Sequence, residues 1–292
     1  MVGPCVICCF WEITQLHLLP LSMASHCVWL ALIIGNSRLH WAGFREAFFC
    51  EAWHTPHLSA ADVKQLVSQN FNPSAWAALT PSNVPQLGLP DDQPIELWLA
   101  SVVPQQVQLW RTYPKLQQVE PDRIPIQGIY STLGIDRILA LWGAGESQGW
   151  PVLVIDAGSA LTFTAGAAGH LIGGAILPGL RLQFQALSQE TATLPEVDYC
   201  SLETLPIRWA KDTSTAIQSG IFYTLLAGIQ DYIIDWRRQY PNSQVILTGG
   251  DSTVLYTSLK IQAPEIAVQL KQDPHLMFWG MQAYHRQMSK GC

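Results

Sequence analysis

The chain has 292 residues, of which 49% are hydrophobic and 13% are charged, and its formal net charge is −6 at pH 7. This composition supplies a sizeable core and excludes extensive intrinsic disorder, which requires few apolar residues and many charges. The acidic balance disfavours nucleic acid as a partner and no apolar stretch reaches the ~18 residues of a membrane span, so we expect a soluble, globular protein.

The N-terminal segment, residues 1–22, is apolar but patternless and lacks the basic region of a signal peptide. Since Met23 follows directly, we expect it to be the natural start and residues 1–22 to be a non-native extension; an amphipathic docking segment is the alternative. The group Cys5, Cys8 and Cys9 has no second ligand pair at zinc-finger spacing. The odd total of seven cysteines favours free thiols in a reducing cytoplasm.

The first regular pattern is a pair of strands joined by a turn. Residues 27–34 form a continuous apolar run, typical of a central strand, which ends at Gly35-Asn36-Ser37 and resumes over residues 39–44. His40 alternates with apolar neighbours, so we expect it on the exposed face of the second strand. The pattern then predicts a helix at 59–70 capped by Ser59, a strand at 95–103, a short helix from Pro104 and a helix at 134–145.

The strand–turn–strand pattern recurs in the second half. Residues 152–155 lead into Asp156-Ala157-Gly158-Ser159, and further strands are predicted from Ala160 and over 170–176. The remaining pattern predicts a helix at about 180–189, a long helix over 211–238 and a strand at 244–248. This recurrence predicts two copies of one α/β domain, at 23–147 and 148–292, with a cleft between them.

Each of the two Gly-containing turns is suited to hold a phosphate. Glycine lets the backbone approach an oxyanion, and hydroxyl, amide and N–H groups act as donors. Asp156 ends an aliphatic run, where a carboxylate is unfavourable unless something pairs with it. It is therefore either a cation ligand or the cap of its own turn.

Gly134-Ile135-Asp136-Arg137 places opposite charges side by side at the start of a predicted helix. In the functional interpretation, Asp136 accepts a proton from a substrate hydroxyl and Arg137 binds a carboxylate. In the structural alternative, Asp136 complements the helix dipole and Arg137 is its surface partner. The pairs Gly173-Gly174 and Gly249-Gly250 are interpreted as turns after strands, and the second pair is favoured as space for a flat nucleoside.

This ordered series of motifs resembles the type III pantothenate kinase family, also called Bvg accessory factor-like, from about Trp29 to the end of the chain. The motifs that carry the resemblance are Gly35-Asn36-Ser37, Gly134-Ile135-Asp136-Arg137, Asp156-Ala157-Gly158-Ser159, Gly173 to Gly179, Asp212-Thr213 and Thr248-Gly249-Gly250-Asp251. The resemblance implies an α/β actin-like ATPase fold (acetate and sugar kinases, Hsp70, actin) with two duplicated ribonuclease-H-like domains. It also implies a cytoplasmic homodimer that phosphorylates pantothenate with ATP in the first step of coenzyme A synthesis, and it implies Mg²⁺ and a monovalent cation, K⁺ or NH₄⁺.

The resemblance also implies roles for individual residues. Asp136 would be the proton acceptor, and Asp156 the ligand of the monovalent cation. The pantothenate contacts would be Gly134, Ile135, Asp136, Arg137 and, from a partner subunit, Thr213. The ATP contacts would be Gly35, Asn36, Ser37, Ser159, Gly249 and Gly250.

The chain departs from the family pattern at two positions. Ile33 stands where the family has Asp, and an aliphatic side chain cannot hold a metal-bound water. Gln127 stands where the family tends to have Tyr, and the nearby Tyr130 is a candidate replacement. Two alternatives therefore stay open: a kinase of the same fold acting on another small hydroxy compound, and a catalytically weakened nucleotide-binding regulator.

Overall fold

The computed structural model describes residues 28–80, 84–87, 93–198 and 204–289. Within these ranges the chain forms two five-stranded β-sheets with helices packed against them. The predictions for Met23, for residues 1–22 and for the Cys5 group lie outside the described residues. In the described part of the chain, none of the helices combines the length and the apolar character needed to cross a bilayer.

The first sheet is built around the strand that the apolar run predicted. Its strands are β1 (Val28–Ile34), β2 (Leu39–Arg45), β3 (Phe48–Thr55), β4 (Glu96–Ser101) and β5 (Leu116–Gln118), in the order β3-β2-β1-β4-β5. Strand β1 pairs antiparallel with β2 on one side and parallel with β4 on the other. All of it is buried, because each of its two faces packs in an apolar cluster. The helices of this part are α1 (Ala60–Ser68), α2 (Pro73–Leu79) and α3 (Pro104–Val107). Ser59 caps α1, as predicted.

The second sheet repeats the topology of the first. Its strands are β6 (Val152–Ala157), β7 (Ala160–Ala167), β8 (His170–Pro178), β9 (Gln244–Thr248) and β10 (Leu270–Gln272), in the order β10-β9-β6-β7-β8. Strand β6 pairs antiparallel with β7 and parallel with β9, as β1 does with β2 and β4. The turn predicted at Gly173-Gly174 is wrong, because both residues lie inside β8 and pair with β7.

The core between the two sheets contains two helices that approach each other closely. The helices after β5 are α4 (Ile135–Gln148), α5 (Leu180–Gln189), α6 (Thr213–Gln239), α7 (Ser252–Gln262), α8 (Pro264–Ala267) and α9 (Leu276–Ser289). Helices α4 and α9 pack with one face of β1 and of β6 in a single apolar cluster. A Cβ at Gly143 or at Gly280 would collide with the backbone of the opposite helix, so both positions require glycine. The domain boundary predicted after residue 147 coincides with the end of α4 and stays a prediction.

The other face of each sheet has its own core. The first sheet packs against α1 and α2 through a cluster that includes Trp41, Trp76 and Trp110. The second sheet packs against α5, α6 and α7. Trp29, Trp98 and Trp142 are buried, so the sequence-based assignment of the tryptophans in apolar runs to core packing is confirmed.

Candidate functional site

A cavity of about 380 Å³ lies at the carboxyl ends of the two central strands. Its wall contains Gly35-Asn36-Ser37, which follows β1, and Ala157-Gly158-Ser159, which follows β6. Thr248-Gly249-Gly250 at the end of β9 completes this part of the wall. Open α/β sheets bind ligands at the carboxyl ends of their strands, so this cleft is the candidate active site.

The turns that line the cleft are in contact with each other. The Oγ atoms of Ser37 and Ser159 are 2.6 Å apart, and an Nη2–H of Arg181 donates to Ser37 Oγ over 3.2 Å. Gly249 has a φ of +91°, and a Cβ there would collide with the carboxylate of Asp156 and the backbone of Ala157. Glycine at position 249 therefore allows the third turn to lie directly against the end of β6.

Two of the carboxylates that line the cleft, Asp136 and Asp156, have raised pKa values. Asp136 lies in the first turn of α4, where its Oδ1 accepts the backbone N–H of Arg137 over 2.8 Å. Burial raises the pKa of Asp136 above its usual value, although that hydrogen bond and the charge of Arg137 oppose the shift. Burial also raises the pKa of Asp156 to about 7, and the negative charge of Asp136 contributes to this rise. The pair therefore creates a negative region inside the cleft.

Asp156 has the properties of a cation ligand. No described residue donates a hydrogen bond to its carboxylate, so the alternative in which it caps its own turn is wrong. A partly buried carboxylate without a donor and next to a second carboxylate is unfavourable unless a proton or a cation neutralises it. The donor set is carboxylate oxygen, which suits hard cations such as Mg²⁺ and K⁺.

Arg137 is buried rather than at the surface, so the structural alternative that made it a surface partner is wrong. It is 7% exposed, and its Nε–H donates to Thr164 Oγ1 over 2.9 Å. Its Nη2–H donates to the Phe163 carbonyl over 2.9 Å, and its Nη1–H donates to the hydroxyl of Tyr130 over 3.3 Å. A guanidinium group has five N–H donors. Two of them, one on each terminal nitrogen, therefore have no acceptor among the described residues.

Gly174 and Tyr130 belong to the surroundings of Arg137. A Cβ at Gly174 would collide with the carbonyl of Phe163 and with Nη2 of Arg137, so this glycine provides the space that the guanidinium occupies. Tyr130 is 46% exposed and keeps its hydroxyl on Arg137. The side chain of Gln127 is exposed, and its backbone pairs with β8 at His170. These contacts favour Tyr130 as the replacement for the tyrosine that the family tends to have at the position of Gln127.

The cleft brings together most of the site residues predicted from the sequence. Those in its wall are Gly35, Asn36, Ser37, Asp136, Asp156, Ser159, Gly249 and Gly250. The predicted residues outside the wall are Gly134, Ile135, Arg137 and Thr213. Gly134 is the N-cap of α4 and the Ile135 side chain is buried, whereas Thr213 begins α6 and is exposed.

Several residues in the wall were not predicted to belong to the site: Arg38, His40, His54, Arg181 and Asp251. The expectation that His40 lies on an exposed strand face is wrong, because His40 lines the cleft. The signal that could have identified it is its pairing with Ile33 across β1 and β2. Residues directly opposite in a sheet share a face, so a residue opposite the end of β1 also faces the cleft.

Comparisons with known proteins identify related sequences over nearly the whole chain. A family model for type III pantothenate kinase matches residues 29–235. The type III pantothenate kinase of Nostoc sp. is 46% identical over 256 residues, which covers 87% of this chain and 93% of that protein. The type III pantothenate kinase of Synechocystis sp. is 40% identical over 260 residues, covering 88% of this chain and 90% of that protein.

Solved structures with low sequence identity share the fold. A Baf family protein from Campylobacter jejuni has a TM-score of 0.58 and 19% identity, covering 89% of this chain and 99% of that one. A 2-dehydro-3-deoxygalactonokinase protein from Sinorhizobium meliloti has a TM-score of 0.51 and 11% identity, covering 89% of this chain and 96% of that one. Together with the two mixed sheets, these likenesses confirm the expected α/β actin-like ATPase fold.

Proposed function

The chain belongs to the type III pantothenate kinase family, and from this premise we propose that its cleft binds ATP and pantothenate, with Asp136 as the proton acceptor. The chain is a kinase that transfers a phosphoryl group from ATP to pantothenate, the first step of coenzyme A biosynthesis. The observation that carries the proposed site is that Asp136 and both Gly-containing turns line one cavity. A cytoplasmic location fits an enzyme that uses ATP.

The phosphates of ATP are proposed to lie between the turns that follow the central strands. Asn36, Ser37 and Ser159 offer backbone N–H groups, an amide and two hydroxyls at one place in the cleft. Gly35 closes the first turn, because its own N–H donates to the carbonyl of Arg38. Gly250, where an added Cβ would meet no other atom, leaves space against the backbone for the nucleoside, and Gly249 lets this turn lie against the end of β6. The positive charge of Arg181, which donates to Ser37, supports the placement of an anion here.

Asp136 is proposed to take the proton of the pantothenate hydroxyl. Phosphoryl transfer needs an in-line hydroxyl, neutralisation of charge and an acceptor for the proton. Burial raises the pKa of Asp136, which makes its carboxylate a stronger base than an exposed aspartate. The backbone N–H of Arg137 orients the Asp136 carboxylate, and the two available N–H donors of Arg137 suit the carboxylate of pantothenate.

Asp156 is proposed to hold a monovalent cation, K⁺ or NH₄⁺. The support is its carboxylate without a donor among the described residues, together with its raised pKa. Mg²⁺ is proposed to enter with the phosphates of ATP, where it neutralises charge during transfer. Ile33 offers no oxygen ligand, so Mg²⁺ would rely on the phosphate oxygens of ATP and on the carboxylates in the cavity wall.

A homodimer is proposed to complete the pantothenate site. Thr213 is exposed and lies outside the cavity wall of its own chain. Ile207 and Trp209, close to it in sequence, are 72% and 85% exposed. Ile172 and Ile176 are also exposed, on β8, which carries Gly174 next to Arg137. A two-fold dimer that covers these apolar side chains would bring Thr213 of the partner subunit to the Arg137 side of the site.

A coupled ADP-release assay tests the proposed function. Purified protein is supplied with ATP, Mg²⁺ and K⁺, with and without pantothenate. We expect release of ADP that depends on pantothenate. A background that does not depend on pantothenate would indicate the nucleotide-binding regulator instead, and turnover with a different hydroxy compound alone would indicate another kinase of this fold.

A further inference from the structure

A row of three residues crosses the first sheet beneath the Gly35-Asn36-Ser37 turn. Ile33 on β1 is directly opposite His40 on β2, and His40 is directly opposite His54 on β3. Residues directly opposite share one face of a sheet, and all three line the cleft. The imidazole rings of His40 and His54 contact each other edge to face, with their centroids 4.8 Å apart. The floor of the cleft thus contains a histidine pair.

The surroundings of this pair are positively charged and leave its polar atoms available. The ring of His40 is affected by the charges of His54 and Arg38, and the ring of His54 by those of Arg38 and His275. No described residue forms a hydrogen bond with either ring. The third member of the row, Ile33, offers no carboxylate to pair with His40. The other charged groups in the cavity wall are Asp136, Asp156, Arg181 and Asp251.

We propose that His40 and His54, together with Arg38, form a phosphate-binding site that holds the nucleotide through its phosphate oxygens. A site of three potential cations without an adjacent acid favours an anion over a metal cation. The site lies beside the Gly35-Asn36-Ser37 turn, so the inference rests on the proposed position of ATP in the cleft. An acid at position 33 would pair with His40, whereas Ile33 leaves the imidazole available for phosphate.

Proton uptake on nucleotide binding follows from this site. In the free protein, burial lowers the pKa of His40 to about 4 and lowers the pKa of His54, and the repulsion from Arg38 adds to both effects. Both rings are therefore neutral at neutral pH. A bound phosphate anion counteracts the repulsion from Arg38, because its negative charge stabilises a protonated imidazole. Both pKa values should therefore rise when phosphate binds. Binding of the nucleotide should consequently take up protons and weaken as the pH rises.

Calorimetry of MgATP binding without pantothenate tests the proposal. Titrations at pH 6.5 in two buffers of different ionisation enthalpy give the number of protons exchanged, and Mg²⁺ keeps the triphosphate itself ionised. We expect net proton uptake in the wild type. His40→Gln and His54→Gln should each reduce the uptake and weaken binding about tenfold, because a charge-assisted hydrogen bond is lost. His170→Gln is the matched control, since His170 is exposed and its ring hydrogen-bonds only to the carbonyl of Ala168 among the described residues.

A second measurement needs no variant. The imidazole C–H signals of the wild type, followed by NMR as the pH is varied, should show the pKa of His40 rising from about 4 by two units or more when MgATP is added, about a hundredfold in proton affinity. A smaller rise would leave this ring neutral at pH 6.5. MgATP that binds with no proton uptake and no shift of either imidazole would overturn the histidine site and leave the proposed function intact. Failure of the wild type to bind MgATP would overturn both.

Discussion

Ser37 and Ser159 are hydrogen-bonded through their hydroxyls, 2.6 Å apart, although each lies in a turn between strands of a different sheet. Each serine ends the glycine-containing turn that follows a central strand, β1 for Ser37 and β6 for Ser159. The contact joins the two halves of the fold at the place where the ATP phosphates are proposed to bind. A bound phosphate would therefore meet both hydroxyls together, and the effects of the two serines should be coupled.

Removing either hydroxyl should weaken ATP binding. Ser37→Ala or Ser159→Ala deletes a donor to a charged phosphate, so we expect the KM for ATP to rise about tenfold with a smaller change in kcat. Ser159→Thr is the control, since it keeps the hydroxyl. In the double alanine variant the KM for ATP should rise by less than the product of the two single fold-increases, because the side chains are in contact. Unchanged KM values in both single variants would exclude these contacts.

Replacing Asp136 should slow the chemical step more than it weakens binding. Asp136→Asn keeps the shape of the side chain but removes the proton acceptor, so kcat should fall by about 10²–10⁴. Pantothenate binding, followed by calorimetry, should change much less because Arg137 stays in place. If binding is abolished while turnover of the bound complex is normal, Asp136 is a binding residue and not the base.

Activity should depend on a monovalent cation through Asp156. The wild type should have low activity in Na⁺ alone and should respond to K⁺ or NH₄⁺, because the cation neutralises a buried carboxylate. Asp156→Asn should lose this response. Steady-state rates of both proteins in the three salts measure the effect, and equal wild-type rates in all three would remove Asp156 from this role.

The stability of the cation-free protein should fall as the pH rises from about 4 to about 7. The pKa of Asp156 is about 7 in the folded chain and 3.8 for an unperturbed aspartate, so the folded state retains a proton that the unfolded state releases in this window. The stabilising contribution of the protonated group is complete below the unfolded value and is lost as the pH approaches 7. Asp156→Asn lacks this titration. The melting temperature of the variant relative to wild type should therefore increase from pH 5 to pH 8; a constant difference would contradict the prediction.

A mixed dimer should recover activity if each pantothenate site uses both subunits. An Asp136→Asn chain and a Thr213→Val chain, each inactive alone, form one intact site when they combine, since that site takes Asp136 from one chain and Thr213 from the other. Co-expression followed by purification of the mixed species and a rate measurement checks this. Sedimentation that shows an active monomer would refute the shared site. Trp209→Ser should weaken the dimer, because Trp209 is exposed in the single chain.

The local patterns of the sequence were sufficient to identify the central strands and the turns after them. β1 and β6 are continuous apolar runs that end in Gly-containing turns, and both features depend only on neighbours along the chain. The start of α4 at Ile135 could also be predicted from neighbouring residues, because Gly134 is its N-cap and Asp136 lies in its first turn. Strand β3 was not predicted, because its residues are only partly buried and do not alternate regularly.

Only the tertiary structure decided which side chains face the cleft and how their charges are arranged. Whether His40 faces solvent or the cleft depends on what covers that face of β2, and its alternation with apolar neighbours is compatible with both. Arg137 is buried because Thr164 and the carbonyl of Phe163 accept its hydrogen bonds, and both lie on a strand distant in sequence. The contact of Ser37 with Ser159 joins residues that are 122 positions apart. Periodicity reports the local conformation, whereas burial, pKa and contact across the cleft depend on groups that only folding brings together.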